Sequence, residues 1–176
     1  MAEIEAYYDK KSESYDSIFA ALYFRVYDAV TWRYLEPYVP AASDAVVLDA
    51  GGGTARWAIR MAEKGCKVVL MDSSEKMLNA AARKVKAKGL QHRITLQKGD
   101  IATIGYADET FDMVLCEHAL FLFKEADVAI RELKRVLKKN EALVISTQNR
   151  YVQALSSIAG KPRVDNVERA FKVLVN

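Results

Sequence analysis

The chain has 176 residues, 51% hydrophobic and 28% charged, the mixture of a folded globular protein with room for one compact domain and a helical extension. Lysine and arginine (26) exceed aspartate and glutamate (23) by only 3, so charge gives no case for a nucleic-acid partner, and wholesale disorder is excluded. The two cysteines, Cys66 and Cys116, sit in apolar surroundings, which argues against a disulfide-stapled secreted domain or a cysteine-rich zinc module, and no metal site is expected. No apolar run approaches a membrane span, and Met1-Ala2-Glu3-Ile4-Glu5 lacks signal-peptide chemistry, so the expectation is a soluble, cytoplasmic protein.

The first forty residues are rich in tyrosine, with Tyr7, Tyr8, Tyr15, Tyr23, Tyr27, Tyr34 and Tyr38, and Ile18 to Leu35 reads as one amphipathic helix. Pro37 and Pro40 mark its exit, so residues 1–40 are expected to form a helical lid, 41–149 an α/β core and 150–176 a helical segment. Five β-branched apolar runs follow: Ala45–Asp49, Lys67–Asp72, Arg93–Gln97, Phe111–Cys116 and Ala142–Ser146. Runs without strict alternation predict strands buried on both faces, as in a parallel sheet covered by helices. Between them, Met77 or Leu78, Ala81, Ala82 and Val85 recur at helical spacing, as do Ile130, Leu133 and Leu137. Ser73 and Ser74 can cap the first of these helices and Gly89 can close it. Alternating strands and helices predict a doubly wound, mainly parallel α/β sheet. The basic runs at Arg83–Lys88 and Arg131–Lys139 read as solvated helix faces. After the fifth strand come helix-like stretches from near Arg150 and from Asp165 to Leu174.

The chemistry-bearing segment is Val46-Val47-Leu48-Asp49-Ala50-Gly51-Gly52-Gly53-Thr54-Ala55-Arg56. A buried strand runs into a glycine-rich turn and then a helix, where open α/β sheets bind ligands. Asp72 ends the second strand, placed to accept from both hydroxyls of a ribose. Asp100, in Lys98-Gly99-Asp100-Ile101, follows the third, where a carboxylate and adjacent backbone can read an adenine edge. Each aspartate alone is as readily a turn residue or a helix cap; three such features on one rim point to an adenosine-containing ligand. The dinucleotide fingerprint Gly-x-Gly-x-x-Gly fails, because its last glycine falls on Arg56 or Trp57, and no phosphate loop is present.

Asp49-Ala50-Gly51-Gly52-Gly53-Thr54 resembles motif I of the class I S-adenosylmethionine-dependent methyltransferases. Leu70–Leu78 resembles the family's acidic second motif and Lys98–Ile101 its third. Phe111–Leu120 resembles the fourth-strand motif of the small-molecule, ubiquinone/menaquinone-type branch, and Tyr7–Asp16 is similar to that branch's opening. The resemblance implies a Rossmann-like fold binding S-adenosylmethionine. It implies that Asp49 orients the motif I loop and that Gly51, Gly52 and Gly53 pack against the cofactor's amino-acid part. Asp72 would hold the ribose, Ser73 and Met77 flank the adenosine, and Asp100 and Ile101 bracket the adenine. Cys116 and Glu117 would lie near the methionyl portion, with Tyr15 closing over the cofactor from the lid. Many members carry glycine where this chain has Ala55, which implies a slightly altered turn.

Methyl transfer is an in-line displacement, so proximity in a dry pocket supplies most of the acceleration. His118 is the candidate base if the acceptor is a hydroxyl, although a structural pairing at the end of the fourth strand is the favoured reading of its position. His92 is expected to be exposed, and the tyrosines to pack as a lid suited to a flat or apolar acceptor. The expected activity is methyl transfer to a small molecule. The alternatives are an S-adenosylmethionine-binding module without turnover and an NAD-type Rossmann enzyme. Family members normally add a sixth and seventh strand, for which 176 residues leave no room. The fifth strand is therefore expected to be a sheet edge in a truncated or naturally short chain, covered by the C-terminal helix or by a second copy in a homodimer.

Overall fold

The structure, a computed structural model, describes residues 2–12, 15, 22–120 and 125–146. In chain order these form helix α1 (Ala2–Lys11), helix α2 (Leu22–Leu35), a 3₁₀ turn (Glu36–Tyr38), β1 (Val46–Ala50), α3 (Arg56–Glu63), β2 (Lys67–Asp72) and α4 (Glu75–Ala87). There follow β3 (Ile94–Lys98), β4 (Phe111–Glu117), α5 (Ala126–Val136) and β5 (Leu137–Ser146). The strand order is β3-β2-β1-β4-β5. The pairings β3–β2, β2–β1 and β1–β4 are parallel, with Asp49 level with Leu70 on one side and Leu115 on the other. This is the doubly wound sheet that the alternating pattern predicts, with β1 at its centre.

Both faces of the sheet are covered, which explains the unbroken apolar runs. On one face Val47, Val68, Leu70, Met113 and Leu115 pack with Trp57 and Met61 of α3 and with Leu78, Ala81 and Val85 of α4. On the other, Leu48, Val69, Met71 and Val114 pack with Ala129, Leu133 and Val136 of α5. Neighbours in sequence take opposite sides because side chains alternate along a strand. Leu35 of α2 joins the first cluster, with Trp32 against it.

Several local expectations need correction. The buried stripe of α5 is Ala129, Leu133 and Val136, and Ile130, one step round the helix, is exposed. Leu137 is not helical: its backbone is extended (φ −80°, ψ 134°) and it opens β5. β5 thus begins five residues before Ala142; Lys139, Asn140 and Glu141 are polar because that part of the edge strand is exposed. On α4 the buried alanines are Ala80 and Ala81, while Ala82 is exposed. Ser74, not Ser73, caps α4, its hydroxyl accepting from Met77 N–H at 3.1 Å, and Gly89 closes it at φ +69°.

By internal packing residues 1–145 form one unit and 146–176 another. Of the second only Ser146 is described, so the C-terminal helical stretches lie outside the described residues, as does the start of the helix expected from Ile18. Among the described residues no helix is long and apolar enough to cross a membrane.

Candidate functional site

The turn after β1 is shaped by close backbone approach. Gly51 adopts φ +76°, and its N–H and that of Gly52 donate to the carbonyl of Met71 at 2.8 and 3.2 Å. A Cβ on Gly51 would fall 2.6 Å from the Cβ of Ala119, and one on Gly52 within 2.8 Å of Leu70 and the Asp49 carboxyl. Gly53 (φ +54°) differs: a Cβ there would meet nothing within 4 Å, and its N–H donates to Asp72 Oδ2 at 2.9 Å. Ala55 follows at φ 68° in the left-handed region, at a cost of about 1–2 kcal/mol for a residue with a Cβ. The turn thus keeps the backbone that glycine normally supplies there.

Asp49, 1% exposed, accepts from the Ala58 N–H in the first turn of α3 at 3.1 Å. Burial, helped by the neighbouring Glu117 carboxylate, pushes its carboxyl up to about 7. Asp72 accepts from Gly53 and from Ser74 N–H at 2.9 Å. Burial pushes it up as well, against hydrogen bonds that pull it down. Ser74 Oγ also donates to Asp9 of α1 at 2.6 Å, and Lys98 at the end of β3 reaches Glu5 of the same helix at 2.8 Å.

At the end of β4, Glu117 is the centre of a charged network. Tyr27 of α2 donates its hydroxyl to Glu117 Oε1 at 2.8 Å. His118 Nδ1 lies 2.7 Å from the same oxygen and 2.9 Å from the Tyr27 hydroxyl. Arg56 places one guanidinium nitrogen 2.9 Å from Glu117 Oε2 and the other 2.8 Å from Asp28 Oδ1. Burial works against the Glu117 charge, yet the His118 hydrogen bond and the Arg56 cation hold its carboxyl down to about 2. His118 itself sits at φ 53°, another left-handed position.

Tyr15, Asp49, Gly51, Gly52, Gly53 and Glu117 line one cavity of about 30 Å³, completed by Thr54, Arg56 and Trp57. Asp72 adjoins it through Gly53. Ser73, Met77, Asp100, Ile101 and Cys116 are not among its lining residues. Met77 and Ile101 are core side chains, and Asp100 accepts from Ala102 N–H at 2.8 Å, closing its own turn. Burial pushes the Cys116 thiol up to about 12, so it is an inert apolar residue. Arg56, Trp57, Asp28 and Tyr27 are site residues that the motifs do not reveal. Arg56 and Trp57 directly follow the glycine turn and had that position as a signal; Tyr27 had only its place among the tyrosines of the expected lid, and Asp28 had none. Trp57, 3% exposed, carries an Nε1–H with no partner among the described residues.

Residues 47–140 match the methyltransferase domain, more than half of the chain. The chain belongs to the methyltransferase domain family. Its relatives include the demethylmenaquinone methyltransferase of Bacteroides fragilis, 27% identical over 150 residues, covering 81% of this chain and 59% of the relative. They also include the ubiquinone/menaquinone biosynthesis C-methyltransferase UbiE of Shewanella baltica, 28% identical over 151 residues, with coverages of 78% and 60%. The chain therefore spans about three fifths of the length of these curated relatives. Among solved structures, the cyclase SpnF superposes with a TM-score of 0.74 at 25% identity, covering 81% of this chain and 58% of SpnF. A SAM-dependent methyltransferase from Aquifex aeolicus gives a TM-score of 0.60 at 26% identity, over 67% of this chain and 63% of that one. The Rossmann-like methyltransferase fold is thereby shown, but a cyclase on the same fold means that activity must be argued from the site.

Proposed function

We propose that this chain binds S-adenosylmethionine at the carboxyl ends of β1, β2 and β4 and transfers its methyl group to a small, flat acceptor. The observation that carries this reading is the Asp72–Gly53 pair, which holds a mostly buried carboxylate against the glycine turn on the ligand-binding rim of the sheet. A carboxylate offers about four acceptor positions, so one already holding backbone N–H groups can still accept from a ribose hydroxyl. The residues present fit the cofactor. Gly53, where a Cβ would meet nothing of the chain within 4 Å, leaves space for a ligand beside the turn, and Trp57 offers a buried N–H without a partner among the described residues. Arg56 and Glu117, 2.9 Å apart, supply the two opposite charges that a zwitterionic amino-acid end requires. The dinucleotide alternative has less support, since the position of its last glycine holds Arg56, engaged with Asp28 and Glu117.

When bound, the cofactor supplies a methyl group on a positively charged sulfur. The chain's own residues supply position and proton handling. Glu117, on the Nδ1 side of His118 with Tyr27, favours the proton at Nδ1 and leaves Nε2 the basic nitrogen for an acceptor hydroxyl. Residues 1–40 serve as a lid: Tyr15 lines the cavity, and α1 is tied down through Asp9–Ser74 and Glu5–Lys98. A cavity of about 30 Å³ is far too small for a nucleoside, so the ligand enters when α1 lifts from those contacts. The demethylmenaquinone and ubiquinone/menaquinone methyltransferases among the relatives make a quinone-type ring the first acceptor to try. A second copy pairing along β5 is the oligomer this edge suits, and sedimentation equilibrium measures it.

Calorimetry with S-adenosylhomocysteine and with NAD tests the reading. Binding of the first and not the second is expected. Asp72→Ala should weaken S-adenosylhomocysteine by more than about tenfold, since a hydrogen bond to a charged acceptor contributes roughly 1.5–3 kcal/mol. Preference for NAD, or unchanged affinity in a folded Asp72→Ala variant, would refute it.

A further inference from the structure

Helix α2 has two unlike faces. Its inner face sends Tyr27 and Asp28 to Glu117 and Arg56 and stacks Trp32 on Trp57 at 6.1 Å. Its outer face exposes Leu22 (74%), Val26 (55%), Val30 (50%) and Tyr34 (74%), and Tyr38 of the following turn continues the row. These positions step by four residues, so they form a continuous ridge about 18 Å long at 1.5 Å per residue. Arg25 and Arg33 are exposed beside that ridge. The acidic groups of this segment are engaged elsewhere, Asp28 with Arg56 and Glu36 with Lys64. The outer face is therefore apolar and cationic.

We infer that this face docks α2 in the plane of an anionic lipid surface. An apolar ridge flanked by arginines, with tyrosines at its carboxyl end, is the pattern of a helix lying at the boundary of headgroups and acyl chains. A protein partner would require neither the one-signed charge nor its position beside the ridge. Docking also brings the candidate site to the lipid, because Tyr27 and Asp28 on the same helix reach it.

Co-sedimentation of the full chain with phosphatidylcholine vesicles, with and without phosphatidylglycerol, tests the inference. Binding to the anionic vesicles is expected, with affinity about 25-fold lower on the neutral ones, each arginine near the surface contributing roughly fivefold. Arg25→Gln/Arg33→Gln should lose that factor, and Val26→Glu/Val30→Glu should abolish binding, with circular dichroism checking each fold. If the glutamate variant does not fold, the arginine variant decides alone. Failure to sediment with anionic vesicles, equal binding to both vesicle types, or a dimer that forms through this face and leaves vesicles untouched would overturn the inference.

Discussion

Asp49→Asn should stabilise the protein more at neutral pH than in acid. Asp49 is 1% exposed, and its carboxyl accepts a single backbone N–H bond, from Ala58 at 3.1 Å. Burial and the Glu117 charge raise it from 3.8 to about 7. A raised carboxyl binds its proton more tightly when folded, so its contribution is complete below the unfolded value and is lost as pH rises through about 4 to about 7. At about 1.4 kcal/mol per unit, the cost of ionising Asp49 is about 4 kcal/mol above that window; relaxation of the site lowers it, and about 2 kcal/mol or more is expected. Asparagine is nearly isosteric, can accept from Ala58 and has no charge to bury. Its amide hydrogens add an offset that does not change with pH, so the pH dependence of the difference carries the test. Thermal melts at pH 4 and pH 8 provide the assay: the difference in Tm between variant and parent should grow by roughly 5 °C or more. A difference that stays constant with pH would refute the reasoning.

Glu117→Gln tests the opposite sign. A carboxyl lowered to about 2 contributes stability that is complete above 4.5 and lost as pH falls towards 2, so acid titration of the parent should show a loss of about 3 kcal/mol that the variant lacks. Gly51→Ala should cost about 2 kcal/mol or more in urea unfolding, from the 2.6 Å approach to Ala119 added to a left-handed backbone. Gly53→Ala, which meets nothing within 4 Å, should cost only about 1–2 kcal/mol. Trp57→Phe removes an unpartnered buried donor and should leave stability within about 1 kcal/mol while lowering S-adenosylhomocysteine affinity about tenfold by calorimetry. Proteolysis near Tyr7–Tyr15 should slow when S-adenosylhomocysteine is present if residues 1–40 close over it; equal rates would count against the lid.

The sheet was legible because its cause is local. A strand covered on both faces must be apolar along its length, and Val46–Leu48, Val68–Met71 and Met113–Cys116 say so directly. The glycine turn was legible for a similar reason, since neighbours 2.6–2.8 Å from a would-be Cβ leave no other residue type. The start of β5 was not, because an edge strand with an exposed segment reads as a polar turn, and Leu137 falls one helical turn after Leu133. Ile130 misled for the converse reason: an apolar residue beside the buried stripe carries no mark of its exposure. The charged network was the least legible part. Asp28, Arg56 and Glu117 lie on three elements and meet only when the sheet and α2 are assembled.

That network also explains why two neighbouring carboxyls behave oppositely. Asp49 and Glu117 lie at the ends of adjacent strands, and the Glu117 charge adds to the cost of ionising Asp49. Arg56 is closer to Glu117, and His118 and Tyr27 add hydrogen bonds to it, so Glu117 keeps the negative charge. Among the described residues Asp49 has one hydrogen bond, from the Ala58 N–H, and that bond and the Arg56 charge do not offset its burial, so its carboxyl is pushed up instead. Environments that push two titratable groups apart in this way are built at sites that manage charge. A cation entering the shared cavity would face both carboxyls, and its charge would favour the ionised form of Asp49 where burial alone does not. Binding of a cationic ligand there would be coupled to proton release from Asp49, a group whose own hydrogen bond holds the first turn of α3 against β1.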